Sequence, residues 1–554
     1  MADEKGTWKR FQRMSFDSRA FSKRARKAET NTTKHAHKFV ISKLDNLRNA
    51  KQHIILWLVL MGILIGGVAL QMLWNQSIYR TTAWKDGGTY AEASVGSINT
   101  LNPLYATTQS ELSASKLLFS SLYRYDDTGT LSDDLARSLD VSADGKQYVV
   151  KIRDDAKWSD GKKLTAEDVV FTVNLMRSPE VRSVKYNEWT NVTAQAMDDR
   201  TVKFTLPAQY APFPHALTFS ILPRHVLEDI APGAIRQSTF SVSPLGSGPF
   251  TLKLLQTSAD GKHKIANMAA SPQYYMGKVK LARFELHAYD SNDDMMAALR
   301  TGQVTAAAGT NVQKSELADD FSVDNYPVNS GVYAILNLQN HILSDAKVRQ
   351  ALQMGTDTQD IRKAVGYEVP PLHLPFVNGQ LTGEGIPAAV PYDIARAKQL
   401  LDEAGWKLPA GESVRKKDGV PLELTVVTVK DVTLEKVMEQ LAGQWRKLGV
   451  KVNTDTRDAT LQDFVQSVLQ QRSYDVLLHK LVIGADMDVY AYWHSSQATE
   501  SGRNFSNYNN KVSDDALASA RVTLDPVLRN EKYKSFSVQW MKDVPAIGLY
   551  QAVM

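Results

Sequence analysis

Hydrophobic residues follow three different patterns along this chain. Residues 54–70 (IILWLVLMGILIGGVAL) carry no charge and are apolar on every face. With Gln71, Met72, Leu73 and Trp74 the run is long enough to cross a bilayer's hydrocarbon core as a helix. A period of two appears at Tyr148, Val150 and Ile152, which alternate with Val149, Lys151 and Arg153 and predict a strand with one buried face. Ser159-Asp160-Gly161 then marks a turn. Thr165 is placed to cap a helix, Asp168 falls in its first turn at the positive end of the dipole, and Val169, Val170, Val173 and Met176 supply its apolar face. A second helical face is made by Ala397, Leu400, Leu401 and Ala404, closed by Gly405. Residues 424–427 read as a strand, 440–452 as a helix running into a strand, and 474–478 as another strand. The folded body is expected to open with a strand near Thr89.

Charge divides the chain where the apolar run does. Residues 1–53 hold 14 Lys/Arg against 5 Asp/Glu, a net +9, while the whole chain is +5, so the remainder is −4. The basic character belongs to the N-terminal tail, and a nucleic-acid-binding reading of the folded body has no support. Basic residues before the apolar run, with only Arg80 and Lys85 soon after it, place the tail in the cytoplasm and the body outside. The run lies too far from the N-terminus for a cleaved signal peptide, and no small-x-small cleavage site follows it. An uncleaved signal anchor is the reading taken, with Trp57 and Trp74 towards the interfaces. A buried core helix is the competitor. The tail mixes Phe11, Phe16, Phe21, Phe39, Val40 and Ile41 with basic residues, which suits either an amphipathic helix on anionic lipid or a disordered topology signal.

The chain has no cysteine, which excludes disulfides, thiolate zinc sites, cysteine nucleophiles and a lipid-bearing N-terminal cysteine. H-E-x-x-H, Walker A and G-x-G-x-x-G patterns are absent. The spacing around Gly246-Ser247-Gly248 does not make a nucleophile elbow. His479 and His494 are the histidines nearest the expected cleft. Two histidines without a carboxylate cluster make a poor metal site, so they are read as polar lining. No enzyme activity, metal or cofactor is expected.

Residues 144–179 (DGKQYVVKIRDDAKWSDGKKLTAEDVVFTVNLMRSP) resemble the signature of family 5 extracellular solute-binding proteins, the peptide- and nickel-type receptors of ABC importers. Other segments match that family in order: Leu101-Asn102-Pro103, residues 117–125, Ser220 to His225, Pro244 to Phe250, Ser271 to Lys278, residues 290–304, Ser344 to Ala351, residues 391–406, 474–490 and 504–508, and Val544 to Tyr550. The sequence departs from the pattern at Leu139-Asp140, Thr305, Ile483 and Met487. The resemblance implies an α/β, two-lobed periplasmic-binding-protein fold of the cluster C type, with an extra subdomain and one preceding transmembrane helix. The expected division is a tail over 1–53, an anchor over 54–74, a linker over 75–88, lobe I over 89–290 with the extra subdomain at about 119–243, and lobe II over 291–554. A C-terminal return strand to lobe I is left open, because many members continue beyond the point matching Met554.

By the same resemblance, an oligopeptide ligand is held between the lobes and delivered to ABC permease subunits by a monomer. In peptide-binding members the carboxylate matching Asp486 holds the peptide's α-ammonium, a charge-assisted bond that reads a group every free peptide carries. Asp488 is the alternative acceptor. Asn504, Phe505, Ser506 and Tyr508 are candidates for pairing with the peptide main chain, although Phe505 and Tyr508 equally suit a core. Trp493 is a candidate pocket wall. Two other readings stand beside this one: the same fold binding another solute such as a metal chelate or sugar, and a ligand sensor or scaffold signalling through the basic tail.

Overall fold

The computed structural model describes residues 47–78, 86–258, 261, 263–309, 317, 321–458 and 461–554. Most of the basic tail and the middle of the expected linker lie outside them. The chain divides into two compact units, Met1–Lys85 and Asp86–Met554. The described part of the first unit is one helix, α1 (Leu47–Ile78). Its segment Ile55–Met72 has a mean hydropathy of 2.3 and no buried residue. In water such a helix would leave its whole apolar surface wet; hydrocarbon removes that cost.

The second unit opens with β1 (Thr89–Val95). A loop follows, tied down by the buried Glu111 of α2 (Gln109–Leu118). The Glu111 carboxylate accepts the backbone N–H groups of Asn99, Thr100, Thr107 and Thr108 at 2.8–3.2 Å. Burial opposes its charge, but those four bonds hold its pKa below the ordinary value. The chain then builds an antiparallel sheet from β2 (Ala136–Val141), β3 (Gln147–Ile152), β4 (Thr193–Asp198) and β5 (Thr201–Thr205), in spatial order β2-β3-β5-β4, with α3 (Ala166–Arg177) inserted before β4. It returns through β6 (Phe250–Thr257), β7 (His263–Ala270), β8 (Arg283–Tyr289), α4 (Asn292–Arg300) and β9 (Ala306–Ala308), giving a five-stranded sheet in the order β9-β1-β8-β7-β6. One continuous core joins the two sheets: Tyr148, Val150, Ile152, Val169, Val173 and Phe204 pack into the same cluster as Phe250, Met268, Phe284 and Leu286. Gly246 and Gly248 cross α2 so closely that a Cβ on either would overlap the backbone of Leu117 and Leu118.

One expected boundary moves, and the open question of a C-terminal return strand is answered for the described residues. Residues 290–304 were expected to begin lobe II. Instead Met295, Met296 and Leu299 of α4 pack on the first-lobe sheet with Ala91, Ala93 and Tyr289. β9 then pairs in parallel with β1, Glu92 opposite Ala306. The crossover therefore lies beyond residue 308. The last strand, β14 (Ala546–Val553), pairs with β10 (Pro327–Leu336) in the second lobe rather than with the first-lobe sheet.

The second-lobe sheet has the order β12-β11-β13-β10-β14, with β11 (Glu423–Val429), β12 (Lys451–Arg457) and β13 (Val476–Val482). Both faces are covered. Val332, Ala334, Leu336, Leu424, Val426 and Leu478 face one core, shared with α5 (Ala346–Met354), α6 (Ile394–Glu403) and α7 (Val432–Arg446). Tyr333, Ile335, Val427 and Leu477 face another, filled by residues of α8 (Lys511–Val522) and α9 (Pro526–Asp543) including Leu517, Tyr533, Phe536 and Trp540. The alternation along β10 thus divides two apolar sets rather than apolar from polar.

The expected strand and helix of the signature are β3 and α3. Asp168 joins them to their surroundings. Its Oδ2 accepts Thr165 N at 2.9 Å and the indole Nε1 of buried Trp158 at 3.4 Å, and its Oδ1 accepts Arg224 N at 2.9 Å. Asp168→Ala leaves these donors unpaired in the core and lowers unfolding stability by about 1–3 kcal/mol. Asp168→Asn, which keeps one acceptor oxygen, loses less. Urea denaturation followed by tryptophan fluorescence checks both.

Candidate functional site

The loop after β13 is a place where side chains of the two lobes hydrogen-bond. Its entry is fixed from β10's end: Ile483 N and Gly484 N both donate to Asn329 O, at 2.9 and 3.1 Å. Gly484 has φ 84°, a conformation that favours glycine, and it turns the chain towards Asp486. Asp488 N donates to Asp486 Oδ1 at 2.8 Å, which holds both carboxylates in one turn.

Each carboxylate already has a guanidinium. Arg529 of α9 makes a fork to Asp486, with Nη1 to Oδ2 at 2.6 Å and Nη2 to Oδ1. Arg521 of α8 donates Nε to Asp488 Oδ2 at 3.0 Å. From the first lobe, Tyr210 donates its hydroxyl to Asp488 Oδ2 at 3.1 Å, His215 Nε2 lies 3.5 Å from Asp486 Oδ2, and Ala211 N donates to Arg521 O at 2.7 Å. Tyr125 hydrogen-bonds His215 Nδ1 at 3.0 Å. Arg521 also stacks over the rings of Tyr490 and Tyr210, 4.4 and 5.1 Å from their centroids.

Burial opposes the charge on Arg529 and on Arg521, but the Asp486 and Asp488 carboxylates keep both above the ordinary arginine value. Burial acts the other way on His215: desolvation lowers its pKa, partly offset by Asp486 and reinforced by Arg529. The imidazole is therefore neutral at pH 7. The neutral form suits its two contacts, with Nδ1 accepting from Tyr125 and Nε2–H facing Asp486.

The other expected site residues lie inside the second lobe. Trp493 is fully buried, with ring centroids 5.4 Å from Trp540 and 6.3 Å from Tyr333. Asn504 is satisfied by its own loop: Nδ2 donates to His494 O and Tyr508 O, and Oδ1 accepts Ser506 Oγ and Tyr508 N. The Tyr508 hydroxyl meets Ser513 and Asp543, each at 2.7 Å. Phe505 alone is half-buried, beneath Arg472 and against His479. As folded, the candidates Asn504, Ser506, Tyr508 and Trp493 have their polar or ring surfaces taken up internally. That is a correction to the contact surface expected of them. His479 stacks between Phe464 and Phe505, and His494 stacks on Tyr490 at 4.0 Å. Among the described residues no group of three His, Asp or Glu is arranged to hold a metal.

Arg521, Arg529, Tyr210, His215 and Tyr125 were not found by sequence reasoning. Asp486 and Arg529 are 43 positions apart, and Tyr210 and Asp488 are 278 apart, so no local pattern links them. Cavities of about 970 and 510 Å³ open elsewhere, beside the crossover segment Val323 to Tyr326.

A two-lobed α/β body of this kind is the architecture of a periplasmic-type solute-binding protein. The model of bacterial extracellular solute-binding proteins, family 5 Middle, matches residues 130–503, and the chain belongs to that family. It is 26% identical over 499 residues to the oligopeptide-binding protein AppA of Bacillus subtilis (strain 168), covering 84% of this chain and 86% of that protein. The structure of AppA in complex with a nonapeptide is similar at a TM-score of 0.64 and 25% identity, covering 85% of this chain and 94% of AppA. NikZ from Campylobacter jejuni in complex with Ni(L-His) is similar at 0.66 and 27%, covering 84% and 92%.

Burial pushes His479 down to about 4, with Lys480 acting the same way. The folded state keeps the ring neutral while the unfolded chain takes up a proton below about pH 6.5. Stability therefore falls as pH drops from 6.5 towards 4. His479→Phe flattens that decline by roughly 1.4 kcal/mol per pH unit. Chemical denaturation at a series of pH values measures it.

Proposed function

We propose that the chain is a membrane-anchored receptor that captures oligopeptides between its lobes, outside the cell, and presents them to an ABC permease. The observation that carries this reading is family membership combined with a relative named for oligopeptide binding that aligns over 84% of the chain. On this reading the loop bearing Asp486 and Asp488, which Tyr210 and His215 contact from the other lobe, serves one end of the ligand site. Ligand between the lobes shifts a pre-existing open–closed equilibrium, and the closed form is what the permease recognises. The helix α1 holds the receptor at the membrane with its N-terminus in the cytoplasm. The absence of cysteine is consistent with a helical rather than a lipid-thioether tether.

The likeness to NikZ with Ni(L-His) favours one competing ligand class, a metal chelate that brings its own donors. The two readings separate in one experiment. The full chain in detergent is heated with a pool of short peptides, free and N-acetylated, and separately with nickel–histidine. The expected outcome is a rise in melting temperature with the peptide pool, since a ligand at 100 times its Kd adds about 2.7 kcal/mol to the folded state. A rise with nickel–histidine alone transfers the function to chelates.

The anchor has its own test. Deleting residues 54–74 moves the chain from the alkali-resistant membrane fraction to the soluble fraction. Retention of the deleted chain in membranes rejects the anchor.

A further inference from the structure

We propose that Arg529 is a specificity-determining residue that replaces the ligand's ammonium at Asp486, so that this cleft takes ligands uncharged at that end, such as N-blocked peptides. The inference rests on the oligopeptide reading and deepens it.

An ionised carboxylate has about four lone-pair positions. At Asp486 all four face donors. Oδ1 accepts Arg529 Nη2 and Asp488 N, and Oδ2 accepts Arg529 Nη1 and faces His215 Nε2. An arriving ammonium has to expel one of them. Asp488 keeps one open position on Oδ1, where Tyr490 N donates at 3.4 Å, but its Oδ2 accepts both Tyr210 and Arg521, so its charge is already met by a guanidinium.

Arg529 is built into this place. Besides the fork to Asp486, Nε donates to Ala520 O and Nη2 to the Tyr533 hydroxyl, each at 3.2 Å, with the guanidinium over the Tyr533 ring. The side chains of Arg529 and Asp486 are each only 12% exposed. Displacing the guanidinium leaves a cation buried without its partner, which is strongly unfavourable. Charge points the same way. Asp486, Asp488, Arg521 and Arg529 sum to zero and His215 is neutral, so a further cation meets two guanidiniums without an excess of carboxylate. A neutral terminus meets no such opposition.

The test compares one short peptide with a free N-terminus and its N-acetylated form. Each is titrated by calorimetry at pH 7 against the full chain in detergent and against Arg529→Gln and Asp486→Asn. The expected result is that the native chain binds the acetylated form at least as tightly as the free form, and that Arg529→Gln swings the ratio towards the free form by about tenfold. The native ratio is read without any variant, so a poorly folded Arg529→Gln leaves the proposal exposed. A native preference of about tenfold or more for the free peptide, abolished in Asp486→Asn, overturns the inference and leaves the peptide reading standing. Binding of neither form, with nickel–histidine bound, overturns both.

Discussion

Strand β10 is the constraint on which the second lobe depends. It lies between β13 and β14, and residues 330–336 are buried on both faces. Its side chains divide strictly by parity: Val332, Ala334 and Leu336 enter one core, Tyr333 and Ile335 the other. A slip of one residue would exchange those sets, so register is set by packing rather than by a turn. Both ends of the strand then fix loops. Asn329 O takes the two N–H groups that start the Asp486 loop. At the other end Leu338 N donates to Ser506 O, and Asn337 Oδ1 accepts Asn507 Nδ2. The 504–508 segment is held as a wedge between the sheet and α8 and α9. That explains why its polar groups are satisfied inside the lobe.

Contact between the lobes rests on a different kind of interaction. The full charges at the cleft pair within the second lobe, Asp486 with Arg529 and Asp488 with Arg521. Across the lobes the first lobe contributes neutral groups: the Tyr210 hydroxyl, the His215 imidazole and the Ala211 amide. Hydrogen bonds of this kind are each worth about 1–3 kcal/mol when one partner is charged. The charged pairs thus stay within one lobe, and the first lobe meets them with hydrogen bonds from neutral groups. A buried salt bridge across the lobes would instead leave a charge without its partner whenever they separated.

The parts of the fold legible in the sequence were those written locally. The Tyr148–Ile152 alternation, the turn at Asp160-Gly161 and the Thr165–Asp168 start of a helix each specify their own element, and β3 and α3 follow them. The division between lobes was not legible at residue 290, because α4 has the same amphipathic pattern whichever sheet it covers. Its place is decided by β9 pairing with β1 some two hundred residues earlier. The candidate site was legible only on its acidic side. Asp486 and Asp488 stand in a motif. The arginines that meet them are ordinary exposed-looking positions on two late helices, and only the packing of α8 and α9 against the sheet turns them inward.

The same distinction separates the segment that marks the family from the turn at Asp486. Asp168 is occupied on both oxygens by its own subdomain, and Trp158 is enclosed beside it. Neither has a free polar atom to offer a ligand, so in this chain the segment serves as architecture. At Asp486 the backbone geometry is equally fixed by Asn329 and Gly484, yet the chemistry presented depends on one residue contributed from elsewhere. Arg529 of α9 forks to Asp486 and offsets its charge. The charge balance of the turn is thus decided by a helix remote in sequence, while its backbone course is set at its entry by Asn329 and Gly484.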